Sequence, residues 1–456
     1  MPGVWLIAST FFLAALFYRW WVIVALVLFL LCCWFLLRKN LWWGLKRISL
    51  PIFVGIVLGI YSSSVLPKDV KSIVPSKSQF TVEGLVRYVS IPDGKRILIH
   101  GKYIVVAGKR ISFPYQIWIK YMGKKRLPER LVGEYVSVPV YFNGKNFFFY
   151  PADYSHRSHW VRFIFRPAYW MRKVFYHMLR PLGTQSRTIA QAVLIGIKNW
   201  NFYRLKEDFN SIGAGHILAI SGLHLVILTA LVFWIPKVFG LPELASDIIA
   251  LLFVIVYMLM IPESASLFRA GVMFSLFLFS RIIRRNWSVY DLLGLTVFII
   301  FFINPQEVFS IGFWMSGLAV LAIFLGLSLL PRHSLLDLWY ISLVVSLVLG
   351  PIIIKFFGCY SVVSWVINPV MILLMTLFLI LLVMYIVSFG WVGKPLLDLL
   401  ANAMVFIPEL LKDRALPICL PNLSWSVIYL YYLLLLLCVA VIGWYMSKKE
   451  FYEKWI

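Results

Sequence analysis

Apolar residues along this chain fall in long blocks, near 4–18, 20–37, 48–65, 215–235, 243–261, 267–283, 288–303, 310–330, 336–354, 361–389 and 425–446. At about 1.5 Å per helical residue each block is close to bilayer thickness, so the pattern predicts about eleven spanning helices. The first block has no basic start and no small-residue cleavage site, and a second block follows at once, which predicts a retained helix. Residues 66–150 follow another rhythm. "FTVEGLVRYVS", "KRILIHGKYIVV", "ISFPYQIWIKY" and "GEYVSVPVYF" alternate apolar and polar positions between turns such as "IPDG" and "FNGK". That alternation predicts a small all-β domain of about five strands, compact enough for an OB-like barrel. Residues 151–212 predict amphipathic interfacial helices broken at Pro167 and Pro181, with Arg162, Arg166 and Arg172 near one face. The expected fold class is mostly α, a polytopic membrane helix bundle with one OB-like extracytoplasmic β-domain. Its expected divisions are N-terminal transmembrane helices (1–65), the β-domain (66–150), interfacial helices (151–212), a second transmembrane domain (213–446) and a cytoplasmic tail (447–456).

Composition agrees with a membrane protein. The chain of 456 residues is 62% hydrophobic and only 14% charged, against about 45–50% apolar content in soluble domains. Charge then sets the orientation. The short basic loop "RKNLWWGLKR", with "RIIRR" at 281–285 and "KKEFYEK" at 448–454, belongs on the cytoplasmic side under the positive-inside rule. Alternate counting of the helices satisfies all three if 395–411 also crosses or re-enters. The β-domain then lies outside the cell.

The net charge of +24 calls for a polyanionic partner. The β-domain alone carries about 15 Lys and Arg against about 5 acids. Through 95–126 these cations interleave with aromatics. Lys95, Arg96, Lys109, Arg110, Lys124, Lys125 and Arg126 suit a phosphate backbone, and Tyr103, Phe113, Tyr115 or Trp118 suit the bases of a single strand. The alternative is a barrel core of aromatics under a solvated cationic face near anionic lipid. Phe113 and Trp118 differ in strand parity, so one of them belongs to the core. Cys32, Cys33, Cys359, Cys419 and Cys438 lie in or beside apolar segments without metal-type spacing and are expected to be lipid-facing or packing residues, with no disulfide required. No metal or cofactor is expected.

Polar groups in hydrocarbon are expensive and mark wet paths or paired partners. "GAGHILAISGLH", residues 213–224, places His216, Ser221 and His224 among glycines that allow an interrupted helix or close approach. On a continuous helix His216 and His224 would stand about 80° apart. Glu263, Arg269, Asp291, Asn304, Lys355 and Asn368 complete the set.

These residues sit in segments that resemble the ComEC-type competence channel family, which carries transforming DNA across the bacterial inner membrane. "QAVLIGIKNWNFYRLKEDFNSIGAGHILAISGLHLVIL", "SASLFRAGVMF", "YDLLGLTVFIIFFINPQEVFSIGFWMSGLAVLAI" and "KFFGCYSVVSWVINPVMILL" follow that family's order and spacing. The likeness is good over about 190–411 and looser before it. It implies a DNA-receiving outer domain and a multi-helix path for one strand in the bacterial inner (cytoplasmic) membrane. His216, Ser221, Gly222, His224, Arg269, Asp291, Asn304, Pro305 and Asn368 fall on that path by resemblance. Expected partners are DNA, membrane lipid, an outer DNA receptor, and a cytoplasmic ATPase, helicase or single-strand-binding protein. The usual Phe-Gln-Leu-Ser-Phe stands here as "FWMSG", 313–317. Many relatives carry a metallo-β-lactamase-like nuclease domain. No His-x-His-x-Asp-His cluster occurs here, so a separate nuclease is expected to degrade the second strand, and the chain itself is expected to be no enzyme.

Two other classes compete. One is a transporter or flippase of an anionic lipid or polymer, with the β-domain as a cap. The other is an intramembrane hydrolase using Ser221 and a histidine, for which no G-x-S-x-G turn is present.

Overall fold

The computed structural model describes residues 78–438, apart from 92, 107–108, 113–115, 124–125, 144–145, 150–154, 158–159, 286, 304–306, 308–309, 330–336, 416, 421–422 and 436. The three N-terminal apolar blocks, Cys32, Cys33 and the expected tail therefore lie outside the described residues.

Strands β1 (Ser78–Val89), β2 (Arg96–Val106), β3 (Lys109–Ser112), β4 (Gln116–Tyr121), β5 (Tyr135–Phe142), β6 (Phe147–Phe149) and β7 (Ser155–Arg157) build the β-domain. β1 pairs with both β2 and β5, β2 with β4, β4 in parallel with β6, and β6 with β5. These five strands close into a barrel, which leaves no open edge between them. Period-2 alternation is what fills it: along β5 every second residue is buried, and Val82, Val86, Ile99, Ile119 and Val138 point inward from four strands.

The rest is helical. In order come α1 (Arg162–Met178), α2 (Thr184–Ile195), α3 (Trp200–Ser211), α4 (Gly222–Val238), α5 (Glu243–Met260) and α6 (Ala265–Ile282). Then follow α7 (Val289–Ile303), α8 (Ile311–Leu329), α9 (Asp337–Phe357), α10 (Ser364–Val387), α11 (Lys394–Leu411) and an apolar α12 (Trp425–Leu435). Among the described residues four helices, α5, α6, α9 and α10, are long and apolar enough to cross a membrane by length and composition, and α4, α12, the centre of α7 and the N-terminal part of α8 form shorter apolar helices. The stretch at 395–411 is helical too, as α11.

Pro167 does not break α1, which runs through it, whereas Pro181 lies in the turn before α2. α2 is buried continuously from Thr188 to Ile195. A helix buried on all faces belongs to a protein core. That core joins α2 to residues of α3, α4, α5, α10 and α11.

α4, α6, α8, α9 and α10 touch in sequence and close on themselves as a ring, α10 returning to α4. Along the first three turns of α9, residues 337–348, no position is buried.

The cysteine expectation is corrected by a disulfide between Cys359 and Cys419, 60 residues apart. Short strands β8 (Cys359–Ser361) and β9 (Pro417–Cys419) pair antiparallel and bring the two sulfurs together. The pairing is a long-range event between two helix connections, so local spacing carried no sign of it.

Candidate functional site

The glycine-rich motif is an interrupted helix. After α3 the chain turns at Gly213 with φ +76°, makes a short 3-10 turn over Gly215–Leu218, and restarts as α4 at Gly222. A side chain at Gly213 would press its Cβ to 2.6 Å from Ser364 Cβ, and one at Gly215 would run into Asn210. Both glycines are therefore dictated by close approach. The expected angle of about 80° between His216 and His224 does not apply, because no continuous helix joins them.

Ser221, in extended conformation, precedes α4, and its backbone N–H donates to His224 Nδ1 at 3.0 Å. Ser221 Oγ stands 3.3 Å from the same nitrogen. This is a capping arrangement with histidine in the place usually held by Glu or Gln. It weighs against a Ser–His nucleophile pair, since the ring nitrogen facing the serine already accepts the backbone N–H. His224 is buried, while His216 is exposed.

The neighbours of this motif come from other ring helices. Gly222 lies against Ala270 of α6, and Gly213 against Ser364 at the start of α10. Arg269 of α6 donates to Glu307 at 3.3 Å and lies beside Gly312 at the start of α8. Asn368, one turn along α10 from Ser364, keeps a buried Oδ1 with no partner among the described residues. His216, Ser221, Gly222, His224, Arg269 and Asn368 thus gather at one end of the ring, where α4, α6, α8 and α10 all begin. Asp291 is not among them: it caps the far end of α7, where Ser288 Oγ donates to its carboxylate at 2.7 Å. Asn304 and Pro305 lie outside the described residues.

The barrel sits at the same end. Arg172 of α1, buried despite the expected interfacial face, makes two hydrogen bonds to Glu263 between α5 and α6, and its guanidinium lies 4.1 Å from the centre of the Tyr88 ring on β1. A fully buried arginine needs such a counter-charge, because an unpaired one is costly by several kcal/mol. Neither residue's partner was visible in the sequence, where they stand 91 positions apart. The opposite end carries Arg281, held by Asp247 at 2.9 Å and Glu243 at 2.6 Å, followed by Arg284 and Arg285.

On the barrel the expected basic set divides. Arg96 faces Lys120 across β2 and β4, Lys95 donates to the carbonyl of Gly123, and Arg126 packs at the neighbouring Gly94. Trp118, outward and exposed, meets Tyr88 edge-on. The β2–β3 hairpin holds the other group. There Arg110 pairs with Glu83 at 3.3 Å and lies over Tyr103, with Lys109 following in strand register. About 30 Å of strand separates the groups. Lys124, Lys125, Phe113 and Tyr115, and the side chain of Lys109, lie outside the described residues.

A model of the family described as Competence protein matches residues 193–445, more than half of the sequence. The chain belongs to the Competence protein family. Every bundle residue named in the cluster falls inside the Competence match, and the barrel falls before it. The ComE operon protein 3 of Bacillus subtilis (strain 168) is 28% identical over 193 residues, which covers 42% of this chain and 25% of that protein. The matched stretch thus spans about a quarter of the relative's length. No solved structure matches the chain.

Proposed function

We propose that this chain takes part in DNA uptake as a membrane channel that passes a single strand inward from the barrel end of the ring. The observation that carries this reading is the common polarity of α4, α6, α8 and α10, whose N-termini all open on the cluster of His216, Ser221, Arg269 and Asn368. Each helix presents roughly half a positive charge at its N-terminus, so the mouth favours an anion. Sidedness follows from two further features. A disulfide persists in an oxidising compartment, which supports an outer position for β8 and β9, and Arg281, Arg284 and Arg285 at the far end would suit the cytoplasmic side under the positive-inside rule. The barrel, an OB-type ring with Trp118, Arg96, Lys120 and Arg126 on its surface, would receive the strand outside the membrane.

A cytoplasm-negative potential opposes each entering phosphate by about 2.3 kcal/mol per 100 mV, so transport against it needs work from elsewhere. No G-x-x-x-x-G-K-[ST] loop occurs in the sequence. A cytoplasmic ATPase, helicase or single-strand-binding protein would pull the strand, an outer receptor would deliver DNA, and a separate nuclease would remove the second strand. The test removes the need for a motor. In vesicles holding the full chain, barrel outward, an inside-positive potential should drive a labelled single-stranded oligonucleotide into the lumen. Scrambling of a labelled anionic lipid with no oligonucleotide entry would favour the lipid transporter instead.

A further inference from the structure

Arg269 is only 12% exposed, yet among the described residues it is paired only with Glu307, touched by a single nitrogen at 3.3 Å. Its Nε is buried and bonds to nothing among the described residues. Beside its other nitrogen lies Gly312, where a Cβ would find Nη2 at 3.8 Å and no other described atom within 4 Å. A guanidinium has five donors in a planar fork suited to two oxygens of a phosphate. Here Nε meets no partner, and Gly312 leaves room beside Nη2, among the described residues. Glu307 is 23% exposed, so its carboxylate can swing toward water without a large desolvation change.

We infer that Arg269 is a phosphate-binding subsite gated by Glu307, which occupies the guanidinium at rest and yields to a phosphodiester. This inference rests on the proposed channel and adds its gate. With Glu307 in place the pair is neutral and a lone small anion gains little by entering. A strand differs, because its successive phosphates arrive at high effective concentration and displace the carboxylate repeatedly. Glu307 therefore separates polyanions from simple anions.

Iodide flux tests the gate without DNA. The full chain is placed in phosphatidylcholine vesicles and entry is followed by quenching of a trapped dye. Glu307→Gln, nearly isosteric, should raise iodide flux about tenfold, the factor expected from about 1.4 kcal/mol of lost opposition. Arg269→Gln should show no rise, and the double variant should return to the parental level. Glu307→Asp, which keeps the charge, should stay tight and shows whether altered shape alone opens the path. Equal flux in Glu307→Gln and the parent at matched protein content overturns the gate. So does a double variant that leaks as much as Glu307→Gln. If the iodide results hold and no variant admits an oligonucleotide, the gate stands and the DNA channel falls.

Discussion

His100 shows how a single side chain can set the acid limit of the barrel. It lies on β2 opposite Leu85, with Nδ1 buried and unpartnered among the described residues, close to Arg87, whose Nε is likewise unpartnered. Burial first, and the positive Arg87 second, push its pKa down to about 4. An unfolded histidine titrates near 6.5. Between those values the unfolded chain binds the extra proton, so stability is full above about pH 6.5 and declines as pH falls toward 4. Thermal unfolding of the solubilised chain from pH 7.5 to 4 should show the decline, by about 1–2 kcal/mol after allowance for solvent access. His100→Gln should flatten it, and an unchanged slope in that variant would remove His100 as the cause. Strand parity separated Trp118 from Phe113 without saying which faced outward; the structure places Trp118 at the surface. The burial of Arg172 was not legible, because it depends on Tyr88 and Glu263 arriving from elements far apart in sequence.

At the scale of the element, apolar length located the helices of the bundle well, since a block needs a certain length to be buried or to span. It placed most starts within a few residues but missed that of α4, expected near 215 and found at Gly222. The first turn of α4 is fixed by Ser221 and His224 bonding across it, and the break before it by Gly213 meeting Ser364. Gly213→Ala would combine the cost of a left-handed backbone, about 1 kcal/mol, with a collision against α10. The expected result is a chain that inserts normally and loses most oligonucleotide entry in the vesicle assay. Adding Ser364→Gly should restore part of it, by relieving the collision and leaving the backbone term. Equal activity in Gly213→Ala and the parent would show that the motif does not need this seat.

For the whole molecule the question is whether water reaches the inside of the ring. No position from 337 to 348 is buried, and labelling can tell which side of that helix meets water. Single cysteines at successive positions from 338 to 348, in a chain with Cys32, Cys33 and Cys438 replaced, should react with a water-soluble maleimide along one stripe at three- and four-residue spacing. No labelled stripe would mean a dry interior, and the conduit would be lost. The Cys359–Cys419 link holds together the connections on either side of Ser361, whose Oγ donates to the carbonyl of Ala415, and so steadies the start of α10 where Ser364 meets Gly213.

Alone, the sequence determined what each segment had to be: alternating positions had to close as a β-domain, long apolar blocks had to be helices, and basic loops had to choose a side. These are local consequences of side-chain period and of the cost of charge in hydrocarbon. Only the tertiary structure decided which polar groups meet. It paired Arg269 with Glu307 and Arg172 with Glu263, joined two distant cysteines, and left Asp291 at the other end. Such meetings depend on helix order and direction in space, and periodicity along the chain carries neither.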